Sequence, residues 1–237
     1  MKAFLLAAGL GTRLRPLTDK LPKCLVEIAG KPLLAWWIKL FEEHGISEVL
    51  INLHHLPLAV KSFINEYPTS IRFNFYFEKN LHGSAGTLRE NKSFVENESS
   101  FFVCYADNLT NYNLSKFHEF HKNKASVASL ALFETDTPST KGIIELDSNQ
   151  KVISFEEKPK NPKSNLANAG IYIFTPSVLS KIPTIELCDI GYHLLPRLVN
   201  EMFGWQTTDY LIDVGTIEHL RKAENEWTKI IKAKEDK

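Results

Sequence analysis

The densest chemistry in the chain lies in fifteen residues, Gly9 to Lys23. Here Gly9 and Gly11 alternate with Leu10, Thr12 follows, and Arg13, Arg15, Lys20 and Lys23 face a single acid, Asp19. Glycines let backbone N–H groups approach a phosphate closely, and the clustered cations supply a local positive field. The residue types suit an anion cradle. Taken alone, a Gly-x-Gly pattern recurs by chance and reads more readily as a flexible basic loop. Two familiar phosphate motifs are absent. A P-loop needs G-x-x-x-x-G-K-[ST], and Gly30-Lys31-Pro32 has neither its spacing nor its hydroxyl. A dinucleotide fingerprint would need glycine at Leu14 and an acid after the second strand, where Asn52-Leu53 stands, so a nicotinamide dehydrogenase is excluded.

Elsewhere the reactive side chains read more plainly. His118 and His121 share a helix face, but His-Glu-Phe-His is not H-E-x-x-H and no third ligand is evident, which predicts surface histidines. His54-His55 reads as an ordinary loop pair. Trp36 and Trp37 cannot face the same way on a helix, so one is expected in the core and the other partly exposed or interfacial. Cys24 sits beside Lys23, where a neighbouring cation could lower a thiol pKa, although a passive thiol is the default. No nucleophilic triad stands out.

These residues need elements to position them. Strand-like runs at Lys2 to Ala8, Glu48 to Leu53, Ile71 to Phe77 and Phe101 to Ala106 alternate with helical patterns at Pro32 to His44, Pro57 to Tyr67 and Ala85 to Val95. This βα alternation predicts an α/β fold, a doubly wound and mostly parallel sheet with ligands beyond the strands' carboxyl ends. The second half changes texture: a helix at Leu114 to Asn123, a strand at Val127 to Phe133, and a hairpin of Ile143 to Leu146 with Val152 to Glu156 around Asp147-Ser148-Asn149-Gln150. Antiparallel additions follow from it. A strand at Ala169 to Phe174, a helix at Tyr192 to Met202 and a closing helix at Ile217 to Lys232, fraying into Lys-rich residues, complete the reading.

Composition limits the function class. Of 237 residues 43% are hydrophobic and 24% charged, as in ordinary folded domains. Lys plus Arg and Asp plus Glu number 28 each, so no chain-wide charge draws the protein to nucleic acid or to an anionic membrane. Lys2 and the apolar run to Leu10 imitate a signal-peptide core, but cations follow where a small-residue cleavage site should be. Cys24, Cys104 and Cys188 form no disulfide or metal-clip pattern, which favours a reducing cytoplasm. One domain spanning 1–237 is expected, with lobes at 1–110 and 111–215 and a helix at 216–237.

The run Leu6-Ala7-Ala8-Gly9-Leu10-Gly11-Thr12-Arg13-Leu14-Arg15-Pro16-Leu17-Thr18, followed by Pro22-Lys23, closely resembles the signature of the sugar-1-phosphate nucleotidyltransferases. The resemblance continues in order through Gly83-Ser84-Ala85-Gly86-Thr87, Ala106-Asp107, Gly142-Ile143-Ile144-Glu145, Glu156-Glu157-Lys158-Pro159, Asn168-Ala169-Gly170-Ile171-Tyr172 and Asp213-Val214-Gly215-Thr216. Cys24 and Tyr105-Ala106-Asp107 depart modestly from the common pattern.

The resemblance implies a Rossmann-like fold of the nucleotide-diphospho-sugar transferase type. It implies an enzyme that moves a nucleoside monophosphate from an NTP to a sugar 1-phosphate and releases pyrophosphate. By the same resemblance Arg13 and Lys23 are catalytic, Leu6, Ala8, Gly9, Gly11, Thr12 and Gly86 meet the nucleotide, and Gly142, Glu157, Lys158 and Asn168 meet the sugar phosphate. The 1–110 lobe takes the nucleotide and the 111–215 lobe the sugar phosphate. Asp107 and Asp213 hold Mg²⁺, a cation suited to carboxylates, phosphate oxygens and waters. Taken alone, an Asp after a strand is more often a cap or turn former. The overall pattern favours guanylyl transfer to mannose or heptose 1-phosphate. Uridylyl or thymidylyl transfer, cytidylyl transfer to phosphocholine, and a silent nucleotide-binding subunit are the alternatives. Homo-oligomerisation is left open.

Overall fold

The computed structural model describes residues 1–235. Its strands and helices run β1 (Lys2–Leu6), β2 (Glu27–Ile28), β3 (Lys31–Pro32), α1 (Leu33–Glu43), β4 (Glu48–Leu53), α2 (Pro57–Glu66), β5 (Arg72–Phe77), α3 (Ser84–Glu90), β6 (Phe101–Tyr105), β7 (Asn108–Thr110) and α4 (Leu114–Lys124). They continue as β8 (Ala128–Glu134), β9 (Gly142–Leu146), β10 (Val152–Glu157), β11 (Leu166–Phe174), β12 (Met202–Gln206), β13 (Leu211–Asp213) and α5 (Ile217–Glu235). The expected α/β class, a doubly wound layer with antiparallel additions, is the architecture adopted. Part of the Lys-rich end expected to fray lies outside the described residues. No helix of the described residues is long and apolar enough to cross a membrane.

The chain divides into two compact units, each assembled from three segments: Met1–Phe4, Asn80–Cys104 and Tyr112–Asp209 form the first, and Leu5–Lys79, Tyr105–Asn111 and Tyr210–Lys237 the second. In the second unit β4 and β5 pair in parallel from Glu48↔Arg72 to Leu53↔Phe77. Five of the six β4 residues are buried, the continuous apolar run of a strand covered on both faces. Helix α1 presents Leu33, Trp37, Leu40 and Phe41 to the core and stops where Gly45 takes a left-handed φ of 69°. Both tryptophans are buried here, Trp36 at 8% exposure and Trp37 at 2%, which corrects the expectation of one exposed ring. Trp227 of α5 packs edge-on to Trp36 at 5.5 Å, and Trp36 Nε1 donates to the Ile28 carbonyl. A helix almost two hundred residues downstream covers the outer face.

In the first unit the nine-residue β11 pairs antiparallel with β6, β8 and β9. It manages three partners because the ladder with β8 breaks between Asn168 and Tyr172, where Gly170 adopts φ 70°. The β9–β10 hairpin closes as expected: Asp147 accepts from the Asn149 and Lys151 amides, and Gln150 takes the left-handed conformation. Phe4, Phe94, Phe101 and Phe174 pack edge to face through its core.

Three expectations are corrected in this unit. The helix read over Tyr192 to Met202 is instead a wide helical turn at Ile190–Leu194 and a tight one at Leu195–Leu198, followed by β12 running parallel to β8. Pro196 lacks an amide donor and Asn200 turns left-handed, so a helix cannot continue. Helix α3 ends at Glu90 rather than Val95, where Asn91 folds its side chain back onto the Thr87 carbonyl. His121 is not a surface residue: it is buried, its Nδ1 is hydrogen-bonded with Ser129 Oγ at 2.9 Å, and burial together with His118 pulls its pKa down to about 4.

Candidate active site

The glycine-rich loop leaves the end of β1 in the second unit, and its start is fixed from beside. The Ala7 amide donates to Asn52 Oδ1 at 2.7 Å, while Asn52 Nδ2 donates to the buried carboxylate of Glu78 at 2.7 Å. Asn52 ends the strand position where a dinucleotide fold would carry its acid; here an amide serves the loop. Beyond it the loop winds into three tight turns, Thr12–Leu14, Leu17–Asp19 and Lys23–Leu25. Gly11 takes φ 64°, Leu14 is wholly buried, Thr18 Oγ1 donates to the Gly11 carbonyl at 2.8 Å, and His55 Nε2 donates to the Thr18 carbonyl at 2.9 Å. A Cβ at Gly11 would press on Thr18 at 2.9 Å. The basic loop is therefore built rather than flexible.

Within that frame Leu6 and Ala8 are buried, and Gly9, Thr12 and Arg13 are exposed. A Cβ at Gly9 would meet nothing within 4 Å, so no internal packing demands glycine there. Arg15 pairs with Asp19 at 3.1 Å on the surface, apart from the buried network.

Three residues converge beyond the loop. Lys23 Nζ lies 2.6 Å from Asp107 Oδ2 and 3.7 Å from Asp213 Oδ1. The two carboxylates, 106 positions apart in sequence, are brought together by β7 and β13, which pair antiparallel with Asp213 opposite Asn108; the Val214 amide donates to the Asp107 carbonyl. Arg13 reaches the same place: a Cβ on Gly215 would meet both Arg13 Nη2 and Asp213 Oδ1 at 3.0 Å. Two hard carboxylate oxygens around one cationic centre are a donor set that fits Mg²⁺. Among the described residues no group of three or more His, Cys, Asp or Glu could hold a metal, so the remaining ligands would have to be phosphate oxygens and waters. Cys24 departs from the reading that Lys23 could activate it. Its thiol is buried, and burial pushes its pKa up to about 12, with Asp107 adding to the effect.

The remaining candidates lie in the first unit. Gly86, at the start of α3, donates its amide to the Cys188 carbonyl at 2.9 Å beside the Ala85 amide at 2.8 Å, and a Cβ on Gly83 would strike that carbonyl at 2.5 Å. Ser84 Oγ donates to Asp189 Oδ1 and accepts from the Ile190 amide. The start of α3 and the 188–190 segment are thus laced together.

Gly142, Glu157, Lys158 and Asn168 come from β9, β10 and β11. A Cβ at Gly142 would meet Glu157 Oε2 at 2.7 Å. Burial raises the Glu157 pKa above the ordinary carboxylate range, with Lys158 and Lys141 pulling against it and Asp189 adding to it. Lys158 ends the strand in a left-handed φ of 51°, a conformation costly for a side-chain-bearing residue, and its exposed ammonium lies 5.8 Å from the Tyr192 ring centroid. Asn168 occupies the β11 irregularity, accepting from the Gly170 amide and donating to Tyr172 Oη.

Sequence reasoning missed Asn52, Glu78, Asp189 and Gly191, and it gave His55 no task. Only Asn52 carried a signal, as an amide standing where an acid was sought.

A family model described as nucleotidyl transferase matches residues 2–230. Mannose-1-phosphate guanylyltransferase 1 of Arabidopsis thaliana is 36% identical over 222 residues, covering 91% of this chain and 61% of that protein. UTP–glucose-1-phosphate uridylyltransferase of Synechocystis is 32% identical over 235 residues, covering 92% and 61%. Among solved structures, HddC from Yersinia pseudotuberculosis complexed with GMP-PN is similar with a TM-score of 0.80 at 25% identity, over 95% of this chain and 99% of that one. The chain spans 61% of the length of these curated relatives. With the signature folded into a built loop and the match running nearly end to end, the chain belongs to the nucleotidyl transferase family.

Proposed function

We propose that this chain transfers a nucleoside monophosphate from an NTP to a sugar 1-phosphate, with guanylyl transfer to mannose or heptose 1-phosphate preferred. The observation that carries the reading is the meeting of Lys23, Asp107 and Asp213 beside the glycine loop, with the Arg13 guanidinium and Asp213 both bordering Gly215. The Arabidopsis relative's name and the GMP-PN in the HddC complex support the guanine preference. A cytoplasmic setting suits three free thiols and an NTP substrate.

The chemistry needs charge management more than a reactive side chain. A phosphate monoester has a second pKa near 6, so an oxygen of the sugar phosphate is a competent nucleophile at neutral pH without a general base. That oxygen attacks the α-phosphorus, a new P–O bond forms, and the bond to the β-phosphate breaks with its electron pair leaving on pyrophosphate. Gly9, Gly11 and Thr12 offer backbone donors to the phosphates, while Leu6, Ala8 and Gly86 lie against base and ribose. Arg13 stabilises the departing pyrophosphate and Lys23 the α-phosphate. Asp107 and Asp213 would hold Mg²⁺, which when bound neutralises phosphate charge. In the first unit Lys158 takes the acceptor's phosphate; Gly142, Glu157 and Asn168 shape the hydroxyl pocket.

The test is a pyrophosphate-release screen of GTP, UTP, dTTP and CTP against mannose, heptose and glucose 1-phosphates and phosphocholine, with and without Mg²⁺. Release with GTP and a mannose- or heptose-type acceptor, dependent on Mg²⁺, is expected. Release with UTP and glucose 1-phosphate alone would move base and acceptor to those of the Synechocystis relative. Silence with every pair would leave a nucleotide-binding subunit.

A further inference from the structure

Two glycines of the first unit stand against one carboxylate. A Cβ at Gly191 would meet Glu157 Oε2 at 2.6 Å and Cδ at 3.0 Å, and a Cβ at Gly142 would meet the same Oε2 at 2.7 Å. Neither glycine is needed for its backbone. Gly11, Gly30, Gly45, Gly83 and Gly170 take positive φ; Gly142 and Gly191 do not. Gly191 lies inside the helical turn Ile190–Leu194 and Gly142 opens β9, two settings in which glycine is among the least favourable residues. What glycine supplies at both places is room.

The turn that carries Gly191 is tied down. Ser84 Oγ donates to Asp189 Oδ1 at 3.1 Å, the Ile190 amide donates to Ser84 Oγ at 2.8 Å, and the Asp189 amide donates to His193 Nδ1 at 2.9 Å. Just before it, the Cys188 amide donates to the His82 carbonyl at 2.8 Å. A methyl group added at residue 191 would therefore displace the freer partner, the end of the Glu157 side chain, rather than the turn.

We infer that Gly191 is a positioning residue of the acceptor subsite: with Gly142, its bare Cα seats the Glu157 carboxylate that reads the hydroxyls of the sugar 1-phosphate. This rests on the acceptor role proposed above for Glu157. Alanine fits the Gly191 backbone, so Gly191→Ala should fold with an unchanged or slightly higher Tm and bind NTP as the wild type does. Its KM for the sugar 1-phosphate should rise about 10- to 100-fold, the scale of an ångström's misplacement, and its preference among epimeric sugar 1-phosphates should relax.

The decisive readout is coupling. Gly191→Ala should cost almost nothing further in a Glu157→Gln background, because it acts only through that side chain. An unchanged acceptor KM and preference in the single variant, an equal cost in both backgrounds, or a loss of NTP affinity would each overturn the assignment. The wild type is assayed first: silence toward every NTP and sugar 1-phosphate would strike the functional reading itself, whereas an active wild type with an indifferent Gly191→Ala variant would strike this inference alone.

Discussion

The Gly9 to Lys23 loop of the second unit and the Ile190–Leu194 turn of the first, proposed above for phosphates and acceptor, both depend on glycine, for opposite reasons. Gly11 turns through φ 64° and its missing Cβ faces Thr18, a partner within its own loop. Gly191 has an ordinary backbone and its missing Cβ faces Glu157, which belongs to another strand. The first glycine shapes the chain and the second leaves space for chemistry. A loop that must aim backbone N–H groups at phosphates needs its main chain held, and the Asn52, Thr18 and His55 bonds do that. In the pocket proposed for the sugar hydroxyls, Gly142 and Gly191 keep an ordinary backbone and leave room for a side chain, while the left-handed turns fall at Lys158 and Gly170.

The contrast is broken most forcefully through the charged residues. Arg13→Ala is expected to lower kcat by about 10² to 10³, the usual scale for removing one preorganised transition-state donor, with little change in acceptor KM. Steady-state kinetics check it, and a rise in NTP KM at constant kcat would make Arg13 a uniform binding residue instead. Lys158→Ala should fall next, at about 10- to 100-fold in acceptor use, because a charge-assisted contact of about 1.5 to 3 kcal/mol disappears from one substrate only. Calorimetric NTP affinity should stay where it was. If it falls in step with acceptor use, the proposed separation of acceptor residues from nucleotide residues fails.

The same contrast explains what was legible in the sequence. The loop is contiguous, so Gly9 to Lys23 shows by type and spacing that it suits an anion, and the unbroken run is what made the family signature recognisable. The proposed acceptor pocket draws on β9, β10, β11 and the turn after Cys188, and only resemblance gathered Gly142, Glu157, Lys158 and Asn168. Asp107 and Asp213 meet through a ladder of three residues a side, too short to show a periodicity. Strand β12 was hidden by the apolar spacing around Pro196, which imitates a helix that its missing amide forbids. One of the two tryptophans was expected outside the core because nothing local foretells that Trp227 will cover Trp36. Gly191 lies just before the stretch read as a helix and carries no local signal; its nearest side-chain neighbour, Glu157, comes from β10.

A smaller effect separates the two glycines directly. Gly11→Ala should destabilise the fold by about 1 to 2 kcal/mol, the cost of forcing a side-chain-bearing residue into the left-handed region, and lower Tm by about 2 to 8 °C. NTP affinity should fall with it, since the loop is the binding surface. Gly191→Ala should do neither. Thermal melts of the two variants with and without NTP make the comparison, and equal destabilisation would show that both glycines serve the backbone.

The smallest expected effect concerns Glu157 and runs in opposite directions for stability and function. Its pKa is raised in the folded protein, chiefly by burial, so the folded state holds that proton more tightly than the unfolded chain does. Raising pH from the ordinary carboxylate range through this higher value therefore costs stability. Glu157→Gln removes the charge while keeping the shape, so the variant should be slightly more stable than the wild type at neutral pH. The gain should stay below about 1 kcal/mol, because solvent and the nearby Lys158 and Lys141 already offset part of the burial cost. The difference in Tm should shrink as pH falls through that raised value, where the wild-type carboxyl takes up its proton. Acceptor use should move the other way, dropping in the variant at every pH, and in the wild type as the carboxylate is protonated on the acid side. A variant that loses stability at neutral pH would make Glu157 a structural ion-pair partner of Lys158 and Lys141. A gain in stability coupled to a loss of acceptor binding is the signature of a charge kept in a poor environment for the sake of its ligand.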